Sequence, residues 1–496
     1  MSVPPVSNNV DGIPGEANFE TTAARPAEAP PGLRGRLGVP GLVAAVVAFA
    51  SPLAGVAGYL AFVIASGNGL GAPVTVAIVG TLVLIFSVGY VKMAELVPNP
   101  GGFYAYVTAA LGKAAGLGTG LLTTVGYLVG SFGFYIFGGI VASSTVRTAL
   151  HGPDIPWWVY MAGFILVVST LAYRGIDSSV RALSTVMVFE VGIVLVFDLV
   201  VTFRGGPTGR PLDSFTWHSL ASGSVPMAAL FGVLLFTGFE VTTLFREEVK
   251  EPVKTIRRGT YISVSLITLL FAFSAWCLIT AYGTDKVVGE AQQDPTGIFA
   301  TAVQSYLGST MMTVTSVLLV TSVFASQLSL SNSVCRYLYS MGKDGVLAPA
   351  LGRAHDERHS PHRAAVVLAM LHLVGLIVVL VARQSPSDIF AWSAFAVAVA
   401  ILASYFLMSV AVFVFFARRR DGIATAARLL LAGIAVVGFA ATLIWALLNP
   451  EAVAGQESVF NHLIPIGLLL VTVGGAGYAI YLRIRRPDVY RRIGRQ

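Results

Sequence analysis

The chain has 496 residues, of which 55% are hydrophobic and only 11% are charged. Soluble domains carry about 25% charged residues, so this composition excludes a water-soluble protein. The formal net charge of +7 calls for no nucleic-acid partner, because the basic residues sit in short clusters beside apolar runs, where anionic lipid attracts them.

Residues 1–38 are rich in Pro, Ala, Gly and Glu and almost free of aromatics. Such a stretch buries too little apolar surface to offset ordering entropy, so it is expected to be a disordered cytoplasmic tail without catalytic residues. No short apolar stretch with a small-residue cleavage site opens the chain, so the first span is expected to be retained. Between Arg36 and Lys92 no Asp, Glu, Lys or Arg occurs, and a bilayer demands roughly 20 apolar helical residues per crossing. The gaps between charges predict about twelve spans, near 41–66, 73–97, 117–148, 156–173, 180–203, 222–246, 259–282, 309–336, 364–383, 389–416, 428–448 and 462–482. They are helices rather than barrel strands, since segments such as Val366 to Val381 lack the alternating polarity of a barrel. A transmembrane domain over 39–485 and a basic cytoplasmic tail over 486–496 follow.

With the N-terminus inside, the outer loops hold only Arg147, Arg204, Arg210, Lys286 and Arg383 of the 32 Lys and Arg residues. This bias predicts both termini on the cytoplasmic side of the cell membrane. The two cysteines, Cys277 and Cys335, have no C-x-x-C spacing or histidine partner, which gives no support to a disulfide or a zinc site. No metal or other cofactor is expected.

In the first span, Ser51, Pro52, Leu53, Ala54, Gly55, Val56, Ala57 and Gly58 place one proline and two glycines at mid-membrane depth. Such a break leaves backbone groups unpaired and survives only where protein or water surrounds it. Alone it reads as a kink. The sixth span repeats the anomaly, with Phe236, Thr237, Gly238, Phe239 and Glu240 setting a glycine and a carboxylate inside an apolar helix. Paired interruptions of this kind present N–H groups and helix ends to a small charged solute in carriers built from inverted repeats.

Gly67 to Gly71 reads as a tight external turn rather than a phosphate-cradling loop, which would follow a strand. On the third span, Tyr127, Phe132, Phe134 and Tyr135 either line a substrate or pack against neighbours; Tyr127 is retained as a candidate. Glu190 in the fifth span and Glu240 in the sixth each cost about 2.5–3.5 kcal/mol at the bilayer centre. Glu190 reads either as a proton-binding carboxylate or as a neutral acid that packs helices. Glu240 reads as a tie holding the broken helix to a neighbour, or as a reader of a substrate ammonium. Asp198 is expected nearer the outer end, in contact with water. His372 is expected to be a hydrogen-bonded packing residue.

Four motifs in order resemble those of the amino acid-polyamine-organocation (APC) superfamily, over residues 38 to 485. They are the broken opening helix; Pro100, Gly101, Gly102, Phe103, Tyr104, Ala105 and Tyr106, similar to a Gly-Gly-x-Tyr-x-Tyr signature; Phe236 to Glu240, followed by Glu247, Glu248, Val249, Lys250, Glu251 and Pro252 and then Lys254, Arg257 and Arg258; and Arg336 to Gly345, followed by Pro349. The resemblance implies an all-α, LeuT-like fold: a five-plus-five inverted repeat with discontinuous helices 1 and 6, plus two extra helices. It implies that backbone groups of Ser51 to Ala57 meet the carboxylate and amine of a substrate, with Ser51, Ala54, Gly55, Val56 and Ala57 as the candidate binding residues. Phe236 to Phe239 would close over that substrate, with Phe236 or Phe239 as a gate, during alternating access.

Two departures stand out. Ser51-Pro52-Leu53-Ala54-Gly55 replaces the frequent Gly-x-Gly run, and no lysine lies in the fifth span, where Glu190 is the substitute. The expected function is a permease for amino acids, amines or polyamines, by proton symport or by exchange. An ion-independent exchanger and a non-transporting membrane nutrient sensor remain alternatives. An enzyme is disfavoured, since the spans hold no metal cluster and no nucleophile with its base, and no Walker loop points to a pump. The oligomeric state is left open.

Overall fold

The computed structural model describes residues 37–97, 101–174, 179–243, 246, 249–355, 360–419, 423–449 and 458–494. Residues 1–36, Pro100, Glu247 and Glu248, on which part of the sequence reading rests, lie outside the described residues. The long helices are α1 (Val39–Ala50), α2 (Ala72–Leu96), α3 (Lys113–Ser144), α4 (Trp157–Arg174), α5 (Ser179–Arg204) and α6 (Val225–Leu234). They continue with α7 (Pro252–Tyr282), α8 (Ser309–Lys343), α9 (His362–Ala382), α10 (Pro386–Ala417), α11 (Ile423–Leu448) and α12 (Val459–Arg485). Among the described residues, ten stretches are long and apolar enough to cross a membrane. The longest, Val39–Leu96, contains both of the first two expected spans.

Proline and glycine set the ends of these helices. Pro73, Pro252 and Pro386 sit in first turns, where the missing N–H has no intrahelical partner to lose. Packing then orders the bundle. On α3, Gly126, Gly130 and Gly133 recur at helical spacing, and a Cβ at each would stand 2.6 Å from Ala400, 2.8 Å from Val397 and 2.3 Å from Ser393. This glycine stripe lets α3 and α10 approach backbone to backbone, the usual device of helix pairs in lipid. Large apolar side chains on the outer surface, such as Val374, Ile377 and Val381 of α9 and Leu469 and Leu470 of α12, are more than half exposed. A surface of that kind suits hydrocarbon and not water.

The first and sixth expected spans are interrupted. After α1 the backbone of Ser51 turns left-handed (φ 50°, ψ 74°), and the chain resumes as Pro52–Ala54 followed by a wide π turn over Gly55–Tyr59. Helix α6 stops at Leu234, and after a non-helical stretch the chain tightens into a 3-10 turn over Phe239–Thr243. Among the short helices between them, two are of ten residues each. Gly102–Leu111 follows α2, and Ile298–Leu307 precedes α8. The segment expected as a basic tail forms the helix Pro487–Arg492, with Val489 and Ile493 buried.

Candidate transport site at two interrupted helices

The two interruptions touch. Gly238 has φ +108°, and a Cβ there would lie 2.0 Å from the ring of Phe49, the residue two before Ser51. Only glycine permits both that backbone conformation and that approach. Gly55 repeats the theme across the first break, where an added Cβ would stand 2.6 Å from Phe271 and 3.6 Å from Leu235. Ala54, Gly55, Val56 and Ala57 are all buried. Residues that open a helix present N–H groups with no intrahelical acceptor, and Pro52–Ala54 opens the second leg at the level of this contact.

Glu240 holds the sixth-helix break in place. Its Oε2 accepts hydrogen bonds from the Gly238 N–H and the Tyr405 hydroxyl, both at 3.0 Å, and its Oε1 accepts one from the Tyr127 hydroxyl. Its backbone carbonyl accepts from Tyr90 at 2.9 Å. The carboxylate thus ties the break to α3 and α10, and the backbone carbonyl of the same residue ties it to α2. Buried hydrogen bonds to a charged group contribute roughly 1.5–3 kcal/mol each. Thr237 differs from its neighbours, because its Oγ1 is buried without a hydrogen-bond partner. Such an orphan, at the break itself, is the polar atom that an arriving solute can satisfy.

A second cluster centres on Glu190. The Ser322 hydroxyl of α8 donates to Glu190 Oε2 at 2.6 Å, and the Ser51 Oγ lies 2.6 Å from Ser322 Oγ and 3.0 Å from its carbonyl oxygen. The left-handed residue of the first break is therefore joined through one hydroxyl to the fifth-span carboxylate. Ser326, one turn on, donates to the Phe49 carbonyl at 3.2 Å. Among the described residues, no basic side chain forms an ion pair with Glu190, Asp198 or Glu240.

The structure separates other candidates. Phe236 faces Gly80 of α2, and Phe239 packs among Phe86, Tyr90 and Tyr405 at 5.5–6.1 Å between ring centroids. The aromatic ring lying against the sixth-helix break is Phe49, with Tyr127 6.5 Å away. Asp198 corrects the expectation of a solvated group. It is buried, with Ser274 of α7 donating to Oδ2 at 2.7 Å. The reason is the helix Ile298–Leu307, whose Phe299 packs on Phe197 and covers that end of α5. His372 stacks on Phe132 and meets Tyr135 edge-on, as a packing residue does. Tyr90, Tyr405 and Ser322 were not singled out in the sequence. Only Ser322 left a trace there, since Ser322, Ser326, Ser329 and Ser333 share one face of an apolar helix.

Comparison with known proteins agrees with this architecture. The mouse (Mus musculus) Asc-type amino acid transporter 1 is 26% identical over 315 residues, covering 60% of this chain and 57% of that protein. The low-affinity putrescine importer PlaP of Escherichia coli is 21% identical over 300 residues, covering 59% of this chain and 64% of that protein. The chain thus spans less than two thirds of the length of either relative. A crystal structure of a manganese transporter from Eremococcus coleocola superposes with a TM-score of 0.57 at 12% identity, covering 93% of this chain and 99% of that one, which shows a shared fold. The sequence pattern of the amino acid permeases matches residues 41–471, and the chain belongs to that family.

Proposed function

We propose that the protein is a secondary active permease that moves an amino acid or an amine, polyamines included, across the cytoplasmic membrane by alternating access. The observation that carries this reading is the contact of two interrupted helices at Phe49 and Gly238, with the unpartnered Thr237 Oγ1 beside them. Within Ser51 to Ala57, Leu53 and Ala54 open the second leg and supply N–H groups for a carboxylate, since Pro52 has none and those of Ser51 and Gly55 are bonded to backbone carbonyls, and the sixth-helix break supplies Thr237 and freed backbone groups. The relatives named for an amino acid and for putrescine support this substrate class. The basic clusters on the side of both termini support a cytoplasmic placement of that face.

Proton coupling is assigned to Glu190. A proton taken up there changes the bond from Ser322, and through Ser322 the hold on Ser51. That links the charge state of α5 to the geometry of the first break. Glu240, by contrast, is assigned to holding the sixth helix. Exchange without an ion is the second reading, and the absence of a basic partner for Glu190 among the described residues is compatible with either.

The test is uptake into proteoliposomes of labelled amino acids and polyamines, with and without an inward proton gradient, for the wild type, Glu190→Gln and Ser322→Ala. Gradient-driven uptake that collapses in Glu190→Gln while counterflow persists establishes Glu190 as the coupling group. Uptake indifferent to the gradient in every variant establishes exchange and makes Glu190 structural. No flux of any solute, from protein that still folds, would leave a sensor.

A further inference from the structure

Asp198 is a buried acid with no part in the transport site. It sits on α5 before Arg204, about 9 Å from the outer end of the helix at 1.5 Å per residue, and its side chain is fully buried. Ser274 Oγ of α7, also fully buried, lies 2.7 Å from Asp198 Oδ2, whereas Oδ1 is buried without a hydrogen-bond partner. An ionised carboxylate taken out of water without a counter-charge loses several kcal/mol of hydration. The elements packed on α5 bring no such charge to this level. Beside Asp198, α7 places Cys277, whose thiol donates to the Asp198 carbonyl at 3.4 Å. The helix Ile298–Leu307 brings Tyr306, while α1 and Pro52–Ala54 carry no titratable residue. On α8, Cys335, Arg336, Tyr337, Tyr339 and Lys343 lie toward the cytoplasmic end, as do Lys254, Arg257, Arg258 and Tyr261 of α7. Arg204 and Arg210 stand exposed at the outer end, and their guanidinium groups donate to the carbonyls of Tyr306, Thr202 and Phe203. The surroundings therefore suit a neutral acid. The contact at Oδ2 serves it equally, with the acid donating to the serine oxygen, and Oδ1 is then a carbonyl oxygen, which costs far less to bury unpaired than a charge.

A small element seals this acid from the outer water. The helix Ile298–Leu307 buries Ile298, Phe299, Ala302 and Val303 and leaves Thr301, Gln304 and Ser305 exposed. Its Phe299 packs on Phe197, the residue before Asp198, at 5.0 Å between ring centroids, and its Tyr306 does so at 6.3 Å. The Tyr306 hydroxyl donates to the Gly205 carbonyl at 2.9 Å, and the Tyr282 hydroxyl to the Ile298 carbonyl at 2.7 Å. Gly308 (φ +87°) joins this helix to α8, and a Cβ there would meet nothing within 4 Å. A glycine in open space lets the backbone swing, so the helix is a flap with a hinge at one end.

We propose that Asp198 is a proton-binding site of the outer face, neutral while the helix Ile298–Leu307 is docked and ionised when that helix lifts and admits water. Burial without a counter-charge favours the neutral form, so the docked state holds the proton more tightly than the lifted one. By linkage, a proton that is more available favours the docked state. Low external pH therefore holds the flap down, and high external pH frees it. The site is separate from Glu190, which lies about 12 Å further along α5. The assignment depends neither on the solute carried nor on what Glu190 couples.

The test uses the full-length protein in lipid bilayers, with two measurements. Infrared spectroscopy in H2O and D2O reads the carbonyl stretch of protonated carboxyls in the wild type, Asp198→Asn and Ser274→Ala. Spin labels at Gln304→Cys on the flap and Asp154→Cys in the outer loop before α4, both exposed positions, read the flap in a background carrying Cys277→Ser and Cys335→Ser. At neutral pH, Asp198→Asn is expected to lose one carboxyl from the band. Ser274→Ala should shift that component, because the acid loses its partner. The ratio of lifted to docked flap should rise with pH, by at most about tenfold per pH unit for one proton. Asp198→Asn has the charge of the neutral acid and should keep the flap docked at every pH. A band that both variants leave unchanged means an ionised Asp198 and overturns the proposal. So does a flap whose position is independent of pH, or whose response to pH survives in Asp198→Asn. A flap that answers to sodium at fixed pH also overturns it, by making the carboxylate a cation ligand. Ser274→Ala keeps the acid, so its spectrum decides the matter even if Asp198→Asn does not fold.

Discussion

Single residues at the interrupted helices have tight tolerances, and Gly238 has the tightest. Its positive φ costs any other L-residue about 1–2 kcal/mol, and the Phe49 ring leaves no room for a Cβ, so overpacking adds about 1–3 kcal/mol. Gly238→Ala is expected to lower the unfolding temperature and abolish uptake. In a Phe49→Ala background, Gly238→Ala should cost less, because the clash is gone and only the backbone share remains; no cost at all in that background on thermal unfolding would show that φ is unimportant. Glu240→Gln sets a second test. The amide has one acceptor oxygen where the carboxylate has two, so the donors from Gly238, Tyr405 and Tyr127 cannot all be satisfied. Loss of stability by about 1–3 kcal/mol is expected, together with slower transport at every pH. A variant that is stable but has lost only its pH dependence would make Glu240 a proton site instead. Gly238 and Glu240 were legible in the sequence because glycine and a carboxylate are conspicuous inside an apolar run. Tyr90, Tyr405 and Ser322 were not, because a hydroxyl in an apolar helix does not declare which distant group it bonds.

At the scale of elements, the spans were legible because a bilayer dictates their length, and the sequence placed breaks in the right two. It did not show that the sixth would stop at Leu234 and restart as a 3-10 turn, since the hydrogen bonds that stabilise that turn come from α2, α3 and α10. Nor did it show the docking of the C-terminal segment. The Gly494 N–H donates to Asp344 Oδ2 at 2.9 Å, the Tyr104 hydroxyl donates to the same oxygen at 2.7 Å, and Lys113 Nζ donates to the Tyr490 carbonyl at 2.6 Å. Burial raises the pKa of Asp344 above its ordinary value, while Tyr104 and Gly494 draw it part of the way back. A carboxyl whose folded pKa lies above its unfolded one contributes its stability fully below the unfolded pKa and loses it as pH rises through the folded one. The fold should therefore lose the Asp344 contribution as pH rises out of the acid range. Unfolding temperature measured against pH should show this, and Asp344→Asn should remove the trend. Wild type and Asp344→Asn with the same pH dependence would mean that the carboxyl does not couple to folding.

For the molecule as a whole, the arrangement divides labour between a glycine-zipped pair, α3 and α10, and the interrupted helices that lean on it. The interrupted elements reach their surroundings through single polar links, among them Glu240 to Tyr127, Tyr405 and Tyr90, Ser51 through Ser322 to Glu190, and Phe49 to Ser326. Links that can be exchanged one at a time let a small element shift while close-packed helices stay put, because packed interfaces tend to have discrete states rather than continuous ones. The proposed alternating access requires the sixth-helix break to meet water from each face in turn. Thr237→Cys, in a background carrying Cys277→Ser and Cys335→Ser, reads this directly, since both native thiols are buried and their removal leaves one reporter. In proteoliposomes, an impermeant thiol reagent should reach residue 237 from either face, and transported substrate should slow the reaction by occupying the site. Reaction from one face only, unaltered by any gradient or solute, would describe a receptor with a single opening. Reaction from both faces, slowed by the same solute that is taken up, would put the substrate at the contact between the two broken helices.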